Sequence, residues 1–484
     1  MKSAGIIFLL VYTNLQGAAH SNPAVVVDKN TNITKKKVII VGAGSAGLLF
    51  AHNLLRKPNY EIHLLEKRSD PRTIPPSEQQ TYPISLQQKR GLYAIREISP
   101  TMSNAVENAG AWMKGYFGRL GDVPTSNKIF KSPMLALDRN ELSLVLLEHL
   151  VRLESAENSS IEFHFNTALE DVNLDDNTIS VTKASNGSLV PPKTLEKLTF
   201  DCLIGADGSQ SIVRRILTAQ DIISSTATRI PIDALSLRIP RASSDGDFYE
   251  VQDGQYNGWM LQGGVGALAL PLSESECSGA INFPQNNNPF QNMTSPDDVL
   301  EFFERSAPKT LAKLVSRQEA INLLERPVSR LYSVRCDQIH VKDKVLLVGD
   351  AAHATSNNLG QGANSALQDV QLFFRALSQT SNDNWDHALM TYSQARVPCL
   401  RAVRELSEFV IPQSPKMMKE FLFRSKIRNI LPPWLGPLVV GHDAMQLLAD
   451  TDLSYSRVHR KTRQWIARVK KANLKHAAQQ TSNK

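Results

Sequence analysis

Cysteine is scarce and scattered: Cys202, Cys277, Cys336 and Cys399 are the four in 484 residues, with no C-x-x-C spacing and no histidines grouped around them. That excludes a disulfide framework and a cysteine-based zinc site, and no metal site is expected. Long apolar runs are missing too. The first, Ala4 to Tyr12, is well short of the roughly twenty residues that span a bilayer. The last, Met417 to Val440, is interrupted by Pro432, Pro433 and Pro437 and cannot form one regular spanning helix. No repeat or low-complexity block appears, and no Ser-His-Asp or Cys-His arrangement suggests a protein nucleophile. The net charge of +7 is uneven, gathering between Arg457 and His476. Because Trp465, Ile466 and Val469 interleave with those cations, the segment reads as a membrane-surface or solvated helix, and no nucleic-acid partner is expected.

What is present is a globular chain, 42% hydrophobic and 21% charged, too long for one ordinary domain. Lys2, the apolar run and Gly17-Ala18-Ala19 follow the order of a secretory signal, so residues 1–34 are set apart as a targeting segment or tail. The secretory pathway or an organelle is then the implied destination, with the cytoplasm or a membrane surface as the alternative. The sequons at Asn32, Asn158, Asn186 and Asn292 do not decide between them. Lys37 to Ala43 reads as a strand buried on both faces, followed by a helix and a second strand, Glu61 to Glu66. Residues 222–334 alternate strand-like runs with loops, and Lys344 to Gly349 returns to the buried-strand pattern. The expected fold is α/β, α+β overall. A Rossmann-like dinucleotide domain (35–221 and 335–412) would be interrupted by a mixed β-sheet substrate domain (222–334) and followed by a helical C-terminus (413–484).

Three motifs carry the chemistry. In V-G-A-G-S-A-G, Gly42 permits a tight turn, Gly44 lets a pyrophosphate approach the backbone, and Gly47 lets the helix pack on the strand. Glu66, about twenty residues on, would accept hydrogen bonds from an adenosine ribose. The second motif is G-A-D-G-S-Q-S-I-V-R-R, where Asp207 or Ser209 would cap the helix carrying Arg214. In the third, G-D-A-A-H-A-T-S-N-N-L-G-Q-G-A-N, Asp350 ends a buried strand and suits a polyol hydroxyl, while Gly360 and Gly362 open a helix. His353 invites a general-base role, but a hydrogen-bonded structural role is the more common one beside such a turn.

In this order, the motifs resemble those of the FAD-dependent aromatic hydroxylases, in particular the kynurenine 3-monooxygenase branch; FHFNTALE, CLIGADGSQSIVRR and IHVKDKVLLVGDAAHATSNNLGQGANSALQDV carry the likeness. The resemblance implies FAD and NAD(P)H as cofactors. It also implies insertion of one oxygen atom from O2 into a small aromatic or unsaturated substrate via C4a-hydroperoxyflavin. It assigns Gly42, Gly44, Gly47, Glu66, Lys67 and Arg68 to the ADP half of FAD, and Arg139 to the flavin. Leu169 falls to the adenine, Asp207 to both cofactors, and Asp350 to the ribityl chain. Gly362, Ala363 and Asn364 fall at the isoalloxazine edge. Tyr82 stands where kynurenine hydroxylases carry a carboxylate-gripping arginine, and Asn127 and Val410 replace two further pocket residues. Asn357 stands where the family has a proline. The resemblance further implies peripheral membrane contact through the C-terminus, with a buried cover over the pocket as the alternative for Met417 to Val440. The same motifs also serve flavin reductases and dehydrogenases that insert no oxygen, and non-catalytic flavin-binding proteins.

Overall fold

A computed structural model describes residues 35–482 except 75–80, 121–122, 158–159, 184–193, 243–250, 253 and 433. The targeting segment at 1–34 and the sequons at Asn32, Asn158 and Asn186 lie outside the described residues.

Three sheets organise the chain. The first has the order β16-β17-β10-β1-β2-β6: His340–Val341, Val345–Leu347, Cys202–Gly205, Lys36–Val41, Tyr60–Leu65 and Ser160–His164. All its pairings are parallel except β16 with β17. Val38 to Ile40 are fully buried, as a strand covered on both faces requires. The helices Ser45–Leu55, Arg139–Glu157 and Gly362–Ser378 flank this sheet, sharing one apolar core with it. Phe50 stacks on Phe373, their ring centroids 5.3 Å apart, and also meets Trp385, which pins the first of these helices to the last.

The second sheet has the order β15-β11-β14-β13-β12-β4-β5-β3. Its strands are Ser329–Cys336, Ser225–Pro240, Glu276–Pro284, Gly266–Pro271, Gln255–Met260, Ala111–Leu120, Val123–Asp138 and Pro83–Gln87. Three of the eight therefore come from before residue 139, so the sheet is not confined to 222–334. Those early strands lack the strict alternation that marks a half-buried strand: β4 reads AWMKGYFGRL and joins β5 with two register shifts. A second core, built around Trp259, Phe283 and Phe303, lies between this sheet and the helices Pro296–Ser306 and Arg317–Glu325. A small third sheet, β7-β8-β9 (Thr167–Asn173, Thr178–Lys183, Thr194–Thr199), follows β6.

The basic C-terminal run forms a helix with its cations exposed and its interleaved apolar residues turned inward. Tyr455–Ser482 is one helix, and Val458, Thr462, Ile466 and Val469 are buried, packed with the Trp385–Phe409 helix. Trp465 donates its indole N–H to the Val410 carbonyl at 3.1 Å. The apolar residues at helical spacing thus face the protein rather than lipid, while Arg468 and Lys470 pair outward with Glu420 and Glu405.

Candidate functional site

Because β2, β1, β10 and β17 are parallel neighbours, their carboxyl ends lie side by side, and each carries one sequence motif: Glu66, Gly42, Asp207 and Asp350. In an open parallel sheet that edge is where ligands bind. The contacts between motifs are direct. A Cβ on Gly42, whose φ is +107°, would lie 2.5 Å from the Ala206 oxygen, and one on Gly47 would lie 2.0 Å from the Gly42 oxygen. Gly349, with φ +59°, faces Ala46 and Ala366, joining the third motif to the first. Arg214 is almost fully buried and donates to the carbonyls of Ala351 (2.7 Å) and Ser209 (2.8 Å), tying the second motif to the third.

The cleft fits FAD in its free space and its donors. Cβ atoms added to Gly44, Gly208 or Gly362 would meet nothing within 4 Å, so three glycine backbones border open space. Gly44 precedes the Ser45–Leu55 helix with no side-chain cap and no acidic residue in the first turn, leaving the helix N–H groups free for an anion. Glu66 is buried; its Oε2 accepts from the Ala43 N–H (3.0 Å), and its Oε1 accepts from Arg68. Burial acts on its carboxyl, but Arg68 more than offsets it and holds the group below the usual range, ionised and ready to accept ribose hydroxyls. Asp207 accepts the Ile212 and Val213 N–H groups through Oδ2, and Ser211 rather than Ser209 caps the helix. The other carboxylate oxygen of Asp207 is buried without a partner, and burial pushes its carboxyl up. An orphaned acceptor in this cleft suits a ligand hydroxyl.

Lys67 and Arg68 are exposed beside Glu66. Leu169 is buried on β7, whose start is joined to that segment by Thr167 N–H to Glu66 O and Asn166 N–H to Arg68 O. Arg139 opens its helix with its guanidinium 5.4 Å from the Tyr82 ring centroid; Tyr82, Asp350 and Glu66, in that order, hold it above the usual arginine range. Tyr82 therefore stands at the cofactor cleft, its ring partly exposed. Val410 is buried in the C-terminal core, Asn127 is exposed on β5, and Asn357 opens a short 3-10 helix.

Two arrangements were not legible in the motifs. Asn364 is fully buried, and its amide is spent within the protein: Oδ1 accepts from Gln87 and Gly91, and Nδ2 donates to the Ser85 and Gly360 carbonyls. Its side chain therefore staples β3 to the Gly362–Ser378 helix, leaving its backbone as the part available to a ligand. Asn364→Ala leaves two buried N–H groups unpaired, at about 1–3 kcal/mol each; chemical denaturation should show the loss, together with faster release of flavin. The other arrangement surrounds Asp369, which accepts from the Gly349 N–H (2.8 Å), His353 and Arg396 (2.7 Å), all buried. His353 is thus a structural partner of Asp369. Neither cluster follows a motif spacing; burial of Asp369 on an otherwise apolar helix face was the available signal.

Comparison with known proteins agrees with this geometry. A family model described as FAD binding domain matches residues 35–407. The kynurenine 3-monooxygenase of Flavobacterium psychrophilum is 26% identical over 406 residues, covering 81% of this chain and 84% of that protein. The kynurenine 3-monooxygenase of Sus scrofa is 24% identical over 407 residues, covering 83% and 82%. Among solved structures, 2-methyl-3-hydroxypyridine-5-carboxylic acid oxygenase superposes with a TM-score of 0.60 at 20% identity, covering 77% of this chain and 90% of that one. PqsL from P. aeruginosa, in complex with 2-aminobenzoylacetate, gives 0.60 at 17% identity, covering 78% and 95%. Glycine turns and carboxylates from strands far apart in sequence meet at one sheet edge, and that edge lies within the matched span: the chain belongs to the FAD binding domain family.

Proposed function

We propose that this chain is an FAD-dependent, NAD(P)H-consuming monooxygenase acting with O2 on a small aromatic or unsaturated molecule. The observation that carries the reading is the convergence of Gly42, Glu66, Asp207 and Asp350 on one cleft bordered by Gly44, Gly208 and Gly362. Bound FAD supplies the electron transfer and the oxygen activation. The protein binds and orients. The Gly44 turn and its helix take the pyrophosphate, Glu66 the adenosine ribose, and Asp350 the ribityl hydroxyls, with Arg139 beside them. The unpartnered Asp207 oxygen accepts a cofactor hydroxyl.

For the substrate we infer a wall on the second sheet. Gln87, whose N–H is held by Asn364, points its amide at Met134, and Met134 belongs to a cluster with Met113, Tyr256 and Leu270. Tyr256 pairs with Tyr116, ring centroids 5.0 Å apart. A flat apolar substrate suits this wall, and Tyr82 in place of an arginine removes a bidentate grip on a carboxylate. The reading is tested by purifying the protein with FAD and following NAD(P)H oxidation against a panel of aromatic and unsaturated compounds. Substrate-stimulated flavin reduction with oxygenated product supports it. Peroxide release alone points to a reductase, and failure of NAD(P)H to bleach the flavin rules out catalysis.

The C-terminal region supports a peripheral membrane contact. Leu422, Phe423, Ile430, Trp434, Leu438 and Val439 are all more than half exposed on the helices Pro415–Ile430 and Gly436–Val440 and their linker. An apolar patch of this kind, with a tryptophan and with Lys416, Lys419 and Lys426 nearby in sequence, suits a lipid interface. No helix among the described residues is long and apolar enough to cross a membrane. Flotation with anionic vesicles should retain the protein, and Phe423→Glu with Trp434→Ser should release it without change in flavin content; equal flotation of the variant would refute the contact.

A further inference from the structure

Away from the cofactor cleft, β2 and the edge strand β6 pair in parallel with His63 opposite Glu162 and Leu65 opposite His164. Strand alternation places Glu61 and His63 on the same face as Glu162 and His164. His63 Nδ1 lies 3.1 Å from His164 Nε2 and 3.3 Å from a Glu162 oxygen, and that same oxygen lies 3.6 Å from His164 Nε2. Among the described residues this is the group of histidine, cysteine and carboxylate side chains whose ligand atoms draw together within 4.8 Å. The three edges match a metal site closely: tetrahedral ligands at about 2.0–2.1 Å from zinc stand roughly 3.3 Å apart.

The proton inventory points the same way. Glu61 Oε1 lies 2.8 Å from His63 Nε2 and accepts its proton. That fixes the tautomer and leaves the Nδ1 lone pair facing the other two groups, the carboxylate–histidine arrangement that orients metal ligands. Three electron-pair donors facing one another repel unless a proton or a cation lies among them. Access is available as well: the His63 side chain is 9% exposed and that of His164 15%, while Glu162 at 64% opens the cluster to solvent.

We propose that His63, Glu162 and His164 bind one divalent cation of the zinc class, with Glu61 as the supporting carboxylate and a fourth position left to water. Two imidazoles and one carboxylate favour zinc-like ions over calcium or magnesium, which prefer all-oxygen sets. The site adjoins the carboxylate proposed for the adenosine ribose: the Glu66 N–H donates to the His164 carbonyl at 2.9 Å. The ion would clasp the edge strand β6 to β2, the strand that ends at Glu66. The sequence gives no spacing signal for it, because His63 and His164 are 101 residues apart.

The experiment uses the full chain with FAD bound, stripped with a chelator and titrated with cobalt(II). Binding of one equivalent, with the intense long-wavelength absorption of four-coordinate cobalt and its displacement by zinc, is expected. Glu162→Ala, at an exposed position, should weaken binding, and His164→Ala should abolish the band while flavin content stays unchanged. Glu61→Gln should weaken the affinity by about 10–100-fold. Absence of the band in the parent protein, or an unaltered band and stoichiometry in both His164→Ala and Glu162→Ala, would overturn the assignment; the pair would then be an ordinary imidazole hydrogen bond.

Discussion

Gly44→Val is expected to yield a folded but colourless protein. At φ −80° and ψ 176° the Gly44 backbone is open to any residue, and a Cβ there meets nothing within 4 Å, so the free protein should tolerate valine. The open space is the proposed seat of the pyrophosphate, against the unpaired N–H groups that begin the Ser45–Leu55 helix. Filling it should weaken FAD by at least about 100-fold, near 3 kcal/mol at 1.4 kcal/mol per tenfold. The neighbouring glycine provides the contrast. Gly47→Val drives a side chain into the Gly42 oxygen, 2.0 Å from the added Cβ, and should lower thermal stability as well as flavin content. Flavin titration and thermal melting of the two variants separate a cradle from a packing contact. Full flavin occupancy in Gly44→Val would remove the cradle from this helix.

Much of this site could be read from the chain because its chemistry is local. A buried strand, a glycine turn and a helix start are continuous in sequence, so Gly42, Gly44 and Gly47 declared their roles, and Asp207 and Asp350 announced strand ends. The Rossmann-like sheet followed from runs such as KVIIV and VLLV, which only a strand covered on both faces explains. What stayed hidden depends on partners brought together by folding. The second sheet recruits β3, β4 and β5 from outside the 222–334 span expected to hold it, since pairing with β12 rather than local pattern makes β4 a strand. The resemblance puts Asn364 at the isoalloxazine edge, but only the folded chain shows its amide consumed by Gln87, Gly91, Ser85 and Gly360. The cationic stripe from Arg457 is solvated, and what its pattern did not show is that its acidic partners, Glu405 and Glu420, lie on other helices.

Asp369→Asn is the second large effect expected, and it comes from charge rather than shape. Arg396 is 4% exposed in its side chain; it donates to Asp369 Oδ1 and to the carbonyl and hydroxyl of Ser365. Neutralising Asp369 leaves that guanidinium buried without its counter-ion, a change worth about 3–5 kcal/mol. Asp369 also holds the Gly349 N–H, so the turn that presents Asp350 should loosen and flavin should bind more weakly. Burial alone would raise the Asp369 carboxyl, but His353 and then Arg396 more than offset it and hold it down to about 2, against an ordinary 3.8. A carboxyl depressed on folding stabilises the native state above its unfolded value and loses that contribution as pH falls through the folded one. The parent protein should therefore lose about 2 kcal/mol between pH 4 and pH 2, a component absent from Asp369→Asn. If the charge is the cause, Asp369→Leu combined with Arg396→Met should recover stability relative to Asp369→Asn, because no unpaired ion remains. Equal stability of the single and double variants, or an unchanged acid profile, would show that packing rather than the ion network holds the Gly349–Asp350 turn in place.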